Sequence, residues 1–277
     1  MLTALLSLAA SFSWGTSNYL AGVESRRRSV WRVTALSQIA AAVVAGFPLL
    51  FAPQPPPGSW DTAVLVLAGV TTAVGLVAFY RALAIGPMSI VSPIIAGEVL
   101  IPLAAGLIGG ERPDPQAYLG MALAVGGMVV LTWRRRGARD RVHLSAVLLA
   151  VLAAACWGFL LMAFGVSGHE SPYWAVFDTR VVSAVVLAIY VVATGRGLSL
   201  RAQNIPALLA IGLLLTVANI LFTVATGFGD LSVVAILGSL SPVVVTAYAQ
   251  VLLRERLTTR QWSGFAAVFA GVVLLSL

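Results

Sequence analysis

Apolar stretches alternate with short polar breaks along the whole chain, at roughly 2–22, 32–51, 62–80, 87–109, 115–133, 144–165, 172–194, 205–226, 231–253 and 261–277. Most reach the ~20 residues that carry a helix across a ~30 Å hydrocarbon core. Lipid offers no partners to backbone polar groups, so such segments must be helices that satisfy their own hydrogen bonds. The alternation in ~10-residue strands that marks an outer-membrane barrel is absent. The pattern predicts an all-α polytopic membrane protein with ten transmembrane helices. The first segment does not read as a cleavable signal, because no basic stretch precedes it and its counterpart at 144–165 is internal.

The pattern then repeats itself. Trp14-Gly15 returns as Trp157-Gly158, and Trp31 as Trp174. Phe79, Ala82, Gly86, Ser89 and Val91 return 143 residues later as Phe222, Ala225, Gly229, Ser232 and Val234. After a one-residue shift, Glu111-Arg112 returns as Glu255-Arg256, and Gly120 and Gly127 as Gly264 and Gly271. Each half holds five apolar segments, and an odd number of crossings turns the second half upside down relative to the first. The expected organisation is therefore two inverted five-helix repeats, residues 1–133 and 144–277, joined by a basic loop at 134–143.

Composition agrees with this reading: 60% of residues are hydrophobic and 10% charged, with a mean hydropathy of +0.97. Charge adds an orientation. All 17 basic residues are arginine, and 15 of them fall in or beside the odd-numbered connections, the exceptions being Arg112 and Arg180. Arginine-rich short loops stay cytoplasmic, so the odd connections are expected inside the cell and both termini outside, in an inner-membrane protein. The net charge of +7 then reads as topology and contact with anionic lipid rather than nucleic-acid binding.

What is missing narrows the chemistry. A chain without lysine has neither a P-loop phosphate lysine nor a Schiff-base nucleophile. The single cysteine, Cys156, permits no internal disulfide, and His143 and His169 fall in separate connections, so no metal site is expected. Gly227-Phe228-Gly229-Asp230 matches the GxGD string of intramembrane aspartyl proteases. Its repeat partner, Ala84-Ile85-Gly86-Pro87, is a plain turn, and no second acid in a matching motif accompanies it. No enzyme, cofactor or metal is expected.

With these residues in view the chain resembles the EamA-type transporters of the drug/metabolite transporter superfamily. The resemblance rests on the string at 12–19 around Trp14, Trp157-Gly158, Phe79-Tyr80-Arg81-Ala82-Leu83 followed by Gly86-Pro87-Met88-Ser89, and the Gly-Glu-Arg and Arg-Glu-Arg-Leu-Thr strings at 110–112 and 254–258. It implies ten helices as two inverted repeats, a cavity lined chiefly by helices 1, 3, 4, 6, 8 and 9, and export of small metabolites or drugs. Two departures stand out. Members of that family commonly keep both termini inside. The proline expected in helix 4, thirteen residues before the loop glutamate, is present in helix 9 as Pro242 but is Glu98 in helix 4.

Site candidates follow from spacing. Glu98 lies near the centre of the fourth segment and must face a wet cavity, pair with a buried donor, or hold a proton. It is the expected substrate- or proton-binding group. Trp14 and Trp157 hold equivalent places in segments one and six, with Asn18, Tyr19, Phe79 and Tyr80 as further candidates. Thr216, Asn219, Thr223 and Thr226 form one polar stripe on segment eight, of which Asn219 and Thr223 are the site candidates, against the alternative of interhelical hydrogen bonding. Pro93, Gly97 and Pro102 in the fourth segment, and Gly238 and Pro242 in the ninth, mark paired helix breaks of the kind that surround transporter binding sites. Asp178 and Arg180 are expected near the outer third of segment seven, where arginine can snorkel or pair. Glu111 and Glu255 are expected to cap helices or form charge pairs locally. The leading function is a secondary transporter exporting a small amphipathic metabolite or drug by alternating access, with proton coupling through Glu98. An uncoupled facilitator or importer is the alternative, and an intramembrane enzyme ranks below both. Expected partners are the bilayer, a small-molecule substrate and protons, with the protein a monomer or homodimer.

Overall fold

The computed structural model describes residues 1–27, 30–85, 94–132, 144–195, 205–252 and 259–276. They are helical apart from short connections: α1 Leu2–Arg27, α2 Val30–Phe51, α3 Ser59–Ile85, a 3₁₀ turn at Ala96–Val99 leading into α4 Leu100–Ile108, and α5 Pro115–Thr132. The second half supplies α6 Leu144–Ser167, α7 Pro172–Ala193, α8 Ile205–Thr226, α9 Leu231–Gly238, α10 Ser241–Leu252 and α11 Thr259–Ser276. Among the described residues, five spans are long and apolar enough to cross a membrane: Trp31–Phe51, Ser59–Ala82, Leu144–Ser167, Pro172–Ala193 and Ile205–Thr226.

Two elements depart from simple long rods, and both hold the predicted breakers. The ninth segment splits at Ser239-Leu240, where α9 ends and α10 begins with Pro242 in its first turn, a position that needs no backbone N–H. In the fourth segment Gly97 and Glu98 sit in the 3₁₀ turn, and Pro102 lies in the first turn of α4. Pro93 lies outside the described residues.

Helices pair mainly across the two halves, and the pairing is unchanged when the halves are exchanged. α3 packs on α6 as α8 packs on α1, and α3 on α7 as α8 on α2. α2–α7, α4–α9 and α5–α11 are each paired with their own counterpart. The counterparts run antiparallel. Gly120 faces Gly271 and Leu275 while Gly127 faces Gly264 and Val268, and Gln38 meets Arg180 while Gln54 meets Tyr173. The α5–α11 seam is close because both sides are small. A Cβ on Gly127 would lie 2.7 Å from the Gly264 carbonyl oxygen and 2.7 Å from the Val268 nitrogen. This places Gly120, Gly127, Gly264 and Gly271 inside the bundle, where small residues let helices pack closely in membranes.

The even-numbered connections gather at one end. Tyr173 N–H donates to Gln54 Oε1 at 3.1 Å, Ser171 Oγ to the Pro55 carbonyl at 2.8 Å, and Thr3 Oγ1 to the Phe228 carbonyl at 3.1 Å.

Candidate functional site

Two aromatic clusters, related by exchange of the halves, stand inside this frame. In one, the Trp14 indole of α1 lies 5.5 Å from Phe222 of α8, and in the other Trp157 of α6 lies 5.3 Å from Phe79 of α3. The repeat offset links both pairs, so Phe222 was findable as the partner of Phe79. Phe79 continues to Tyr80 at 5.4 Å, Tyr80 to Trp31 at 5.9 Å, and Trp31 to Tyr190 at 5.4 Å.

The clusters differ in their polar groups. Trp14 Nε1–H donates to Asn219 Oδ1 at 2.8 Å, whereas the position equivalent to Asn219 in the first half is Leu76. Asn219 is 0% exposed and its Nδ2 has no partner among the described residues. A buried amide with unspent donors carries a desolvation cost of about 1–3 kcal/mol, and is the kind of group a ligand acceptor relieves. The threonines of the same stripe spend their hydroxyls on backbone carbonyls. Thr216 Oγ1 donates to the Ala41 carbonyl of α2 at 3.0 Å, Thr223 to the Asn219 carbonyl at 2.8 Å, and Thr226 to the Thr223 carbonyl at 2.7 Å.

Glu98 stands beside the second cluster. Its backbone carbonyl presses on Gly158, the residue after Trp157, where no Cβ could fit. Its side chain is partly accessible, and none of the hydrogen bonds or ion pairs among the described residues engages it. The 3₁₀ geometry places the acid where regular helical bonding is interrupted, so the turn can deform at lower cost than an intact helix.

The other candidates lie apart from these groups. Tyr19 stacks on Tyr248 of α10 at 5.1 Å, and the Tyr248 hydroxyl is 3.1 Å from Thr16 Oγ1, a contact no sequence signal announced. Asn18 is exposed on the flank of α1. Arg180 does not snorkel. It is 4% exposed, near the middle of α7, with Nη1 donating to Gln38 Oε1 at 2.9 Å. Asp178, two residues earlier, points elsewhere on the helix and is only half-buried.

Glu111 does more than cap locally. Its Oε1 accepts the Leu231 N–H at 2.6 Å and its Oε2 the Ser232 N–H at 3.1 Å. A first-half carboxylate thus caps the second half's α9, whose own N-cap residue, Asp230, makes no side-chain capping bond. A helix N-terminus favours an anion through its free N–H groups and its dipole. Gly106 is needed here, because a Cβ at that place would overlap the Glu111 carboxylate. Both acids border a hollow of about 240 Å³ with Gly165, Thr226 and Gly229. Partial burial and then the Glu111 charge push the Asp230 carboxyl above its usual value. Glu255, the repeat partner of Glu111, lies outside the described residues.

No curated protein matches this chain significantly. A solved crystal structure matches it over 98% of this chain and 95% of its own, with a TM-score of 0.80 at 19% identity, a likeness that establishes the fold alone. The model of the EamA-like transporter family matches twice, over residues 1–133 and 144–277. These ranges coincide with the two halves of the sequence repeat. With apolar membrane-length helices in each half and a family match over nearly all of its length, this chain is an integral membrane protein of the EamA-like transporter family, a family of transporters and not of enzymes.

Proposed function

We propose that this protein is a secondary transporter that moves a small amphipathic metabolite or drug out of the cell by alternating access, with proton binding at Glu98 as the coupling step. The observation that carries the reading is Glu98 itself: an acid in a broken helix, partly accessible, without a polar partner among the described residues, against the Trp157–Phe79 cluster. An ionisable group inside the membrane is costly and is kept where it does work. The antiparallel packing of α2 on α7 and α5 on α11 supports ten crossings arranged as two inverted repeats. In the same reading the arginine-rich connections face the cytoplasm and both termini face outward.

Proteoliposome transport with and without a pH gradient tests the coupling. Glu98→Gln keeps size and polarity but cannot ionise. It should lose the pH-driven component at least ten-fold while leaving folded protein and substrate exchange in place. Wild-type transport indifferent to the gradient, or a variant with an unchanged pH profile, would make the protein an uncoupled facilitator.

A further inference from the structure

We infer that Arg180 and Gln38 form a binding site for the carboxylate of a small organic anion, which, on the transporter reading above, makes the substrate a carboxylate-bearing molecule. The guanidinium is enclosed. Arg180 is 4% exposed and stands eight residues into α7, ~12 Å along a helix rising 1.5 Å per residue, far from either helix end. Among the described residues, its Nη1 bond to Gln38 Oε1 leaves the other donors unspent, and Nε is buried with no partner.

No acid among the described residues answers this charge. The elements packed against α7 are α2, α3, α8 and α6, and the buried polar side chains they carry among the described residues are all neutral. Thr34 and Gln38 come from α2, Thr72 from α3 and Thr216 from α8, all buried. Ser183 of α7 adds a hydroxyl that shares the Gln38 oxygen at 3.4 Å. Asp178 is on the same helix but ~200° around it from Arg180, on another face.

A buried cation held by one neutral amide is an expensive arrangement, because the amide oxygen offsets only part of the lost hydration. Packing alone would be served as well by an uncharged side chain. A charge kept in this state suits an anion that arrives and leaves. The guanidinium edge formed by Nε and a terminal nitrogen matches a carboxylate through two parallel hydrogen bonds, and Arg does this better than any other side chain. Gln38 orients the fork by holding Nη1. The surroundings suit an organic anion over an inorganic one: Thr34, one turn from Gln38 on α2, borders the aromatic run in which Tyr80, Trp31 and Tyr190 follow one another at 5.9 and 5.4 Å.

The test is equilibrium binding to the full-length protein in lipid nanodiscs at constant ionic strength. Sodium propionate is the probe, with sodium chloride and the neutral isostere propionamide as references. The thermal midpoint of the wild-type protein should rise saturably with propionate and not with either reference. Gln38→Glu places a permanent carboxylate on the same guanidinium, so the variant stays folded through an internal ion pair. It should weaken the propionate response at least ten-fold. Arg180→Gln should abolish the response in whatever fraction folds. A wild-type protein without a propionate-specific rise, an equal rise with chloride or propionamide, or an unchanged half-saturation in Gln38→Glu would each overturn the assignment. Failure here leaves the Glu98→Gln transport result standing, and failure of that coupling leaves the propionate response intact, so the two readings are separable.

Discussion

The sharpest stability prediction concerns Glu111, which ties the loop after α4 to the first turn of α9 through the Leu231 and Ser232 amides at 2.6 and 3.1 Å. Hydrogen bonds to a charged group contribute about 1.5–3 kcal/mol each. The site is partly open to water, which would replace some of the lost bonding, so Glu111→Ala should cost about 2–3 kcal/mol locally. At 1.4 kcal/mol per decade that is roughly a 30- to 150-fold loss of protection. Amide hydrogen exchange at Leu231 and Ser232 is the assay, with Val234 as internal reference because its N–H is bonded to the Asp230 carbonyl at 3.0 Å and not to Glu111. Glu111→Gln keeps one oxygen acceptor and should lose about half as much. Gly106→Ala should reproduce part of the effect without touching the acid, since its Cβ occupies the carboxylate's place. Unchanged exchange at Leu231 and Ser232 in Glu111→Ala would refute the cap. An equal loss at Val234 and along all of α9 would show general unfolding instead.

Two neighbouring glycines of α5 separate packing from helix propensity. Gly127→Ala should destabilise the purified protein by about 1–3 kcal/mol through overpacking against Gly264 and Val268, whereas Gly126→Ala meets nothing within 4 Å and should gain up to about 1 kcal/mol of helix propensity. Thermal unfolding of both variants decides, and equal effects would sink the close seam. For sidedness, a reporter active only in the cytoplasm should work when fused within 134–141 and fail at 55–58; the reverse result would contradict the arginine-based orientation.

The helices were legible in the sequence because membrane burial leaves a one-dimensional trace, the apolar length of each segment. The repeat was legible because both halves kept Trp-Gly, Phe and Gly-Glu-Arg landmarks at a fixed offset. That offset matched Trp14 with Trp157 and Phe79 with Phe222, but the contacts of Trp14 with Phe222 and of Trp157 with Phe79 came only from the structure. Gly238 and Pro242 announced the break between α9 and α10, since a proline without an N–H and a glycine without a Cβ act on their own backbone. Partners across the bundle left no such trace. Arg180 read as an anchor that could snorkel or pair, and only the structure showed that α7 buries it against Gln38, 142 positions away in sequence. Glu111 read as a local cap, yet its amides lie in the other half, and Tyr248 gave no signal before Tyr19 stacked on it. Periodicity tells which face of a helix turns inward. Which polar group meets which, and whether a buried donor is left unspent as in Asn219, depends on how helices distant in sequence are brought side by side, and only the tertiary structure decides that.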